Sequence, residues 1–257
     1  MIKFGPSGLG GAKEAINNLK KFHKAGLKAC EVAFTYSVYL NKEQAKEIGS
    51  KAKELGIQLT IHAQYWINLN SLEKTKVEAS MKRILKCCEI GHYLGAKYVV
   101  FHAAFYQKKE PKEVYEIVKK RIIEMQKIIK KNNWKIKLAP ETTGKKSQFG
   151  SLTELLQLVK DTSCFLCIDF AHLEARDQKI NYDEIVAKLK QSGIKNFHCH
   201  FSGIEYGLKG ERRHKLTTES EWRELLKNLK KSGLNFTIVN ESPDPFGDAL
   251  KGLKILS

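Results

Sequence analysis

Short apolar segments alternate with longer helix-forming segments eight times along this chain of 257 residues. The apolar segments are too short for helices and are rich in the aliphatic and aromatic residues that favour buried strands. Glycine follows several of the helical segments, as at Gly56, Gly95 and Gly233, where a glycine commonly ends a helix. This alternation, without a break in composition, predicts one α/β domain over residues 1–257 that forms a closed (β/α)8 TIM barrel.

The predicted strands are 2–4, 29–34, 58–62, 97–102, 135–141, 165–169, 196–201 and 235–241. The predicted helices are 12–25, 42–55, 73–94, 111–132, 151–160, 182–192, 218–231 and 247–255. No segment approaches the ~18 consecutive apolar residues of a membrane span. The N-terminus lacks the apolar core of a signal peptide, and the six cysteines lack zinc-finger pairing. We therefore expect a cytoplasmic protein with reduced, mostly buried thiols.

Six consecutive predicted strands end in, or carry near their ends, a side chain that can bind a metal: His62, His102, Glu141, Asp169, His200 and Glu241. The carboxyl ends of barrel strands converge on one mouth, which is the usual place of an active site. Three carboxylates there would repel one another unless divalent cations lay between them. Asp169 alone would also suit a helix cap, but the whole set predicts a metal site. Of His198 and His200, which lie on one strand, we expect only one to face the barrel interior.

The net charge of +17 and the pI near 9.5 suit a polyanionic partner such as nucleic acid. Much of the excess is lysine on predicted helix faces, for example Lys119, Lys120 and Lys127. Such lysines are equally typical of a solvated surface. Charge alone therefore leaves both interpretations open.

Six short motifs occur in order along the chain, at 61–69, 101–102, 140–144, 167–172, 200–202 and 240–243. They read IHAQYWINL, FH, PETTG, CIDFAH, HFS and NESP. On these motifs the chain resembles the endonuclease IV family of apurinic/apyrimidinic endonucleases, in a form similar to its archaeal members. The resemblance runs from the first strand to the last. It implies a TIM barrel that holds zinc and cleaves double-stranded DNA 5′ to abasic sites.

The resemblance also implies which residues hold the metal ions. A first zinc would be held by His62, His102 and Glu141. A second would be held by Glu141, Asp169, His200 and Glu241, so that Glu141 bridges the two ions and is the catalytic residue. A third would take His172 and partners from the loop after the seventh strand. We thus expect about two to three zinc ions per chain, with manganese as an alternative metal.

The loop after the seventh strand departs from the family pattern, which places an Asp-x-His pair there. His214 fits the histidine, but Arg212 stands where the aspartate would be. Glu211, one residue earlier, could reach the metal through its longer side chain. Arg212 and Arg213 could instead contact phosphates, and both interpretations can hold together.

The loop after the third strand carries Tyr65 and Trp66 just past His62. Family residues at this place enter the duplex at the abasic site, so we expect the pair to bind DNA by filling the gap beside an extruded nucleotide. Packing of these rings over the barrel mouth is the structural alternative. Arg212 and Arg213 would contact the DNA from the same face. We expect a monomer.

Another enzyme class on the same fold is the main alternative. Sugar isomerases and epimerases of similar barrels use a Glu-Asp-His-Glu quartet around one manganese ion. Glu141, Asp169, His200 and Glu241 would serve as that quartet. The additional histidines, His62, His102, His172 and His214, and the basic loops favour the nuclease.

Overall fold

The computed structural model describes residues 1–256. They form the strands β1 (Ile2–Pro6), β2 (Ala29–Ala33), β3 (Gln58–His62), β4 (Tyr98–Phe101), β5 (Ala104–Phe105), β6 (Lys137–Pro140), β7 (Gln148–Phe149), β8 (Cys167–Asp169), β9 (Asn196–Phe201), β10 (Gly203–Gly207), β11 (Gly210–Lys215) and β12 (Asn235–Asn240). Two four-stranded parallel sheets, β1-β12-β9-β8 and β2-β3-β4-β6, carry the predicted strands. Bridges between Ser7 and Glu31 and between Glu141 and Cys167 join the sheets at both edges. The prediction of a closed eight-stranded barrel is confirmed.

The helices are α1 (Ala15–Lys24), α2 (Lys42–Glu54), α3 (Lys74–Leu94), α4 (Pro111–Lys131), α5 (Leu152–Thr162), α6 (Phe170–Asp177), α7 (Tyr182–Gln191), α8 (Glu219–Ser232) and α9 (Pro245–Leu256). Capping boxes at Asn41, Ser151 and Thr218 satisfy free backbone N–H groups where α2, α5 and α8 begin. The apolar side of each helix packs on the barrel, and Trp222 of α8 is fully buried against Phe201. No helix among residues 1–256 is both long and apolar enough to cross a membrane.

Three elements at the barrel mouth were not predicted from the sequence. Helix α6 begins directly after β8, and Asp169 caps it by accepting a hydrogen bond from the backbone of His172. Strands β10 and β11 form an antiparallel hairpin where a loop was expected. Strands β5 and β7 form a second small antiparallel pair. These additions fold the loops that follow barrel strands β4, β6, β8 and β9 into ordered structure around the mouth.

The expectation that only one of His198 and His200 faces the interior is wrong. Both are buried, with exposed fractions of 1% and 0%, and their ring centroids lie 5.4 Å apart. The physical reason is the period of two in a strand, since residues i and i+2 point to the same face. His200 lies at the mouth, and His198 lies one layer deeper.

Candidate metal centre at the barrel mouth

The barrel brings together the six side chains that were predicted from the strand ends. Asp169 and His62 are the last residues of their strands, and His200 is paired with Asp169 in the register of β8 and β9. His102, Glu141 and Glu241 each follow the last residue of a strand. His172 arrives from α6 and His214 from β11. A cavity of about 370 Å³ at the mouth is lined in part by His62, His102, His172, His214, Glu211 and Glu241.

The first cluster consists of His62, His102 and Glu141. The Nε2 atoms of His62 and His102 lie 3.2 Å and 3.1 Å from the Oε2 atom of Glu141. One potential ligand atom from each of the three residues falls within 4.8 Å of the others. Two imidazoles and a carboxylate at this spacing can hold a divalent cation.

The second cluster joins Glu141, Asp169, His200 and Glu241, again with one potential ligand atom from each residue within 4.8 Å of the others. The Nδ1 atom of His200 lies 3.0 Å from Oε1 of Glu141 and 3.3 Å from Oε2 of Glu241. Glu141 therefore turns one oxygen to the first cluster and the other to the second. This arrangement suits a carboxylate that bridges two cations.

The third cluster contains Asp169, His172 and His214. The Nε2 atoms of His172 and His214 are 3.3 Å apart. The carboxylate of Glu211 lies beside them, with oxygens 3.5 Å from His172 and 3.9 Å from His214. A Cβ atom added to Gly144 would lie 2.7 Å from Cβ of Glu211, so the glycine leaves the space that Glu211 occupies. Glu211 thus lies within reach of an ion held by the third cluster, and its role as a ligand stays a prediction.

Three of the clustered histidines have their second ring nitrogen engaged by a fixed partner. The Nδ1–H groups of His62 and His172 donate to the carbonyls of Ala63 at 2.8 Å and Thr142 at 3.0 Å. The Ser202 hydroxyl donates to the carbonyl of Gly203, so its oxygen accepts from Nδ1 of His214 at 2.9 Å. Each contact fixes the tautomer and leaves Nε2 unprotonated in the neutral ring, as ligation requires.

The charges at the mouth also indicate a cation. Burial disfavours the charged form of Glu141, but the imidazoles of His200 and His102 outweigh this and hold its pKa well below the usual range. Burial likewise opposes protonation of His62, yet Glu141 raises the pKa of His62 to about 9. Burial raises the pKa of Asp169, and its Oδ2 atom is buried with no hydrogen-bond partner among residues 1–256. An unpartnered carboxylate oxygen that faces several imidazoles fits a site built for a metal.

Glu31 was not predicted from the sequence as a residue of the site, and neither was its contact with His198. Glu31 lies in the middle of β2, fully buried, with its carboxylate 3.2 Å from Nε2 of His198 and 3.0 Å from Nε2 of His200. Thr60 donates a hydrogen bond of 2.8 Å to the same carboxylate. An acid in the middle of an otherwise apolar strand was the available sequence signal, because such a residue needs a partner.

The residues predicted to bind DNA lie exposed around the mouth. Tyr65 and Trp66 are 62% and 57% exposed. Tyr36, from the loop after β2, is 72% exposed, and its ring centroid lies 6.0 Å from that of Tyr65 and 5.9 Å from that of Trp66. These three rings form a rim cluster, of which Tyr65 and Trp66 were predicted from the sequence to bind DNA. Their exposure argues against the packing alternative, but DNA binding stays a prediction.

Arg212 and Arg213 lie exposed on β11 and share one acidic neighbour. The Nε atom of Arg213 donates to Glu205 at 2.8 Å, and Arg212 lies 3.9 Å from the same carboxylate. Exposed pairs of this kind contribute little to stability, so both guanidinium groups could exchange Glu205 for a phosphate at small cost.

Sequence comparisons point to one family. A model of xylose isomerase-like TIM barrels matches residues 19–257. The uncharacterized protein MJ0133 of Methanocaldococcus jannaschii is 36% identical, with an alignment that covers 95% of this chain and 92% of that protein. A probable endonuclease 4 of Mesomycoplasma hyopneumoniae is 27% identical over 164 residues, which cover 60% of this chain and 57% of that protein.

Crystal structures of several enzymes share the fold. SacUVDE gives a TM-score of 0.78 at 15% identity and covers 100% of this chain and 98% of its own. Endonuclease IV from Thermus thermophilus gives 0.70 at 20% identity, covering 99% and 97%. D-psicose 3-epimerase from Clostridium cellulolyticum gives 0.70 at 13% identity, covering 99% and 98%. At these identities the likeness shows the fold alone.

Proposed function

The chain belongs to the family of xylose isomerase-like TIM barrels, and we propose that it is a zinc-dependent endonuclease that cleaves double-stranded DNA 5′ to abasic sites. The observation that carries this proposal is the pair of clusters that share Glu141, with a third cluster beside them. A reaction that uses one metal ion needs only one such cluster. Phosphodiester hydrolysis is served by several divalent ions that act on one phosphate.

The donor atoms support zinc. Imidazole nitrogens and carboxylate oxygens in groups of three or four are the usual zinc ligands, and manganese accepts the same set. When bound, paired divalent ions make water acidic enough to attack at neutral pH and neutralise charge on the phosphate. Glu141 would serve both clusters through its separate oxygens. The fixed tautomers of His62, His172 and His214 would keep their Nε2 atoms directed into the mouth without rearrangement.

The rim would bind the DNA. The cluster of Tyr36, Tyr65 and Trp66 offers exposed rings beside the metal centre, and Tyr65 itself lies 6.3 Å from the ring of His62. Aromatic side chains placed so can fill the gap that an extruded abasic nucleotide leaves. Arg212 and Arg213 lie on the hairpin that follows β9, whereas Tyr65 and Trp66 lie on the loop that follows β3. Strands β3 and β9 are four positions apart in the eight-stranded barrel, so the arginines and the aromatic rings flank the mouth from opposite sides.

Incubation with a labelled duplex that contains one abasic site tests the proposal, with the same duplex without the lesion as control. We expect cleavage of the damaged strand alone, with a 3′-hydroxyl that a DNA polymerase can extend. A chelator should abolish cleavage, and added zinc should restore it. A protein that holds about two to three zinc ions and leaves the abasic duplex intact would contradict the proposal.

A ketose 3-epimerase is the second candidate, because the Glu141, Asp169, His200 and Glu241 cluster would suffice for one metal ion. The same protein preparation should therefore be incubated with ketoses in the presence of manganese. Epimerised sugar, one manganese per chain and intact abasic DNA would favour this candidate. The proposed nuclease predicts no epimerised sugar.

A further inference from the structure

Glu31 is a fully buried carboxylate in the layer directly beneath the metal centre. Isolated burial of a charged carboxylate is costly, so such a group persists only where partners compensate it. Three groups approach Glu31: Thr60 from the adjacent strand β3, and His198 and His200 from β9 across the barrel interior. Neither strand depends on the Glu31 side chain for its backbone pairing.

The two oxygens of Glu31 have different surroundings. Oε2 accepts a hydrogen bond of 2.8 Å from the Thr60 hydroxyl and lies 3.2 Å from Nε2 of His198. Oε1 lies 3.0 Å from Nε2 of His200, but it is buried and has no aligned hydrogen-bond donor among residues 1–256. The Nε2 atom of His200 likewise has no aligned partner in that part of the chain. Oε1 of Glu31 and Nε2 of His200 are thus buried polar neighbours 3.0 Å apart, and His200 also lies close to Cys167 and His198.

His200 can serve the metal centre through one nitrogen only. Its Nδ1 atom faces Glu141 and Glu241 at 3.0 Å and 3.3 Å, which makes Nδ1 the potential ligand atom. A neutral imidazole that ligates through Nδ1 carries its hydrogen on Nε2, the atom that lies 3.0 Å from Oε1 of Glu31. Without an acceptor there, the hydrogen could reside on Nδ1 and block ligation.

We propose that Glu31 is a positioning residue, which holds the hydrogen of His200 on Nε2 and fixes the ring so that Nδ1 is presented to the second cluster. The other clustered histidines that have a fixed partner use backbone carbonyls or a hydroxyl, whereas the second nitrogen of His200 has a carboxylate oxygen as its neighbour at 3.0 Å. A carboxylate in this position also makes the ligating nitrogen more basic, which strengthens metal binding. The inference rests on the proposed metal centre and not on the proposed substrate.

Measurement of zinc affinity in Glu31→Gln tests this inference. The amide keeps the shape of the side chain but removes its charge. The dissociation constant of one bound zinc ion should therefore rise by about 10- to 100-fold. A competing chelator of known affinity gives the measurement without DNA. Cleavage of abasic duplex should be lost at limiting zinc and restored at saturating zinc, which a purely structural role would not produce.

Asp248→Asn is the matched control. Asp248 is 2% exposed and accepts a hydrogen bond of 2.6 Å from the backbone of Thr217, and it belongs to none of the three clusters. Its replacement should lower the melting temperature and leave zinc affinity unaltered. Should Glu31→Gln fail to fold, Thr60→Val removes only the hydroxyl that fixes Glu31 and should weaken zinc in the same direction by a smaller factor.

Unchanged zinc affinity in a folded Glu31→Gln or Thr60→Val variant, with only a lower melting temperature, would overturn the inference and leave Glu31 as a structural residue. The outcome is separable from that of the proposed function. If the protein does not cleave abasic DNA but Glu31→Gln loses zinc affinity, the nuclease proposal fails and the positioning role stands. If the protein cleaves abasic DNA but zinc affinity is unchanged in Glu31→Gln, the nuclease proposal stands and the positioning role fails.

Discussion

The two carboxylate oxygens of Glu141 face different sets of histidines. Oε2 lies near His62 and His102, and Oε1 lies near Nδ1 of His200 and, at 3.4 Å, Nδ1 of His172. Neighbouring imidazoles keep the pKa of Glu141 well below the usual range against the effect of burial, so the side chain is a carboxylate. Among residues 1–256, Glu141 is the one residue that the first and second clusters share.

Glu141→Gln should therefore remove metal binding from both clusters at once. We expect cleavage of abasic duplex to fall on the order of 10³-fold, since such ions supply several kcal/mol of transition-state stabilisation. The barrel should stay folded, because the change lies at the mouth and not in the packed core. Circular dichroism, elemental analysis and a cleavage assay together check this. Normal metal content with full activity would rule out a bridging role.

The hairpin of β10 and β11 is the element that completes the third cluster. It places Glu211 and His214 on one strand. The hairpin follows β9 and packs against α6, whose first turn carries His172. The hairpin packs closely at Gly144, whose missing side chain makes room for Glu211. The third cluster thus depends on how two segments of the rim dock.

Glu211→Ala should lose one metal ion and much of the activity, because it removes the carboxylate beside His172 and His214. Leu208→Ala, at the 99% exposed turn of the same hairpin, is the matched control. Gly144→Ala should reproduce the loss by displacing Glu211, whereas Gly11→Ala, where an added Cβ has open space, should not. Unchanged metal content in Glu211→Ala would leave His172 and His214 to share the ion with water or substrate.

The rim cluster of Tyr36, Tyr65 and Trp66 joins the loops that follow β2 and β3. Tyr65→Ala and Trp66→Ala should each weaken binding to abasic duplex by about 1–3 kcal/mol, the contribution of one base–aromatic stack. Binding to intact duplex should change much less, and zinc content should stay normal. Leu72→Ala, at a residue 76% exposed farther along the same loop, is the control. Equal losses on both duplexes would identify the rings as ordinary surface residues.

For the molecule as a whole, the charge of +17 is spread widely while the carboxylates of the centre are concentrated at the barrel mouth. If DNA binds there, each arginine that contacts a phosphate contributes about one unit to the slope of log affinity against log salt. Arg212→Ala and Arg213→Ala should each flatten the slope by about that amount. Arg223→Ala, at an exposed residue paired with Glu219 on α8, should leave the slope unchanged. Filter-binding titrations at salt concentrations from low to physiological measure this slope.

Metal removal should affect the whole fold. A ligand that binds only the native state stabilises it by about 4 kcal/mol at roughly 1,000 times its dissociation constant. For a chain of this size, chelation should then lower the melting temperature on the order of 10 °C. Calorimetry with and without chelator checks this, with zinc added back to restore the transition. A melting temperature indifferent to chelator would mean that the clusters hold no metal.

The sequence by itself determined the barrel and the ends of its strands. Hydrophobic periodicity is local, so the eight apolar segments were recognised within a few residues of their observed bounds. The carboxyl ends of parallel strands share one side of the barrel, so the sequence alone predicts that His62, Glu141 and Asp169 lie together. The assignment of metal ligands and of DNA contacts went further and came from a resemblance; both stay predictions.

Only the tertiary structure decided how these side chains meet. Glu31 and His198 are 167 residues apart, and their contact depends on strand register and barrel closure, which no local pattern encodes. The same holds for Tyr36 beside Trp66 and for Glu211 beside Gly144, since each pair joins different loops. Which oxygen of Glu141 faces which histidine is set by rotamers fixed in the packed mouth. Periodicity predicts which face of an element is buried, whereas the partners on that face follow from packing in three dimensions.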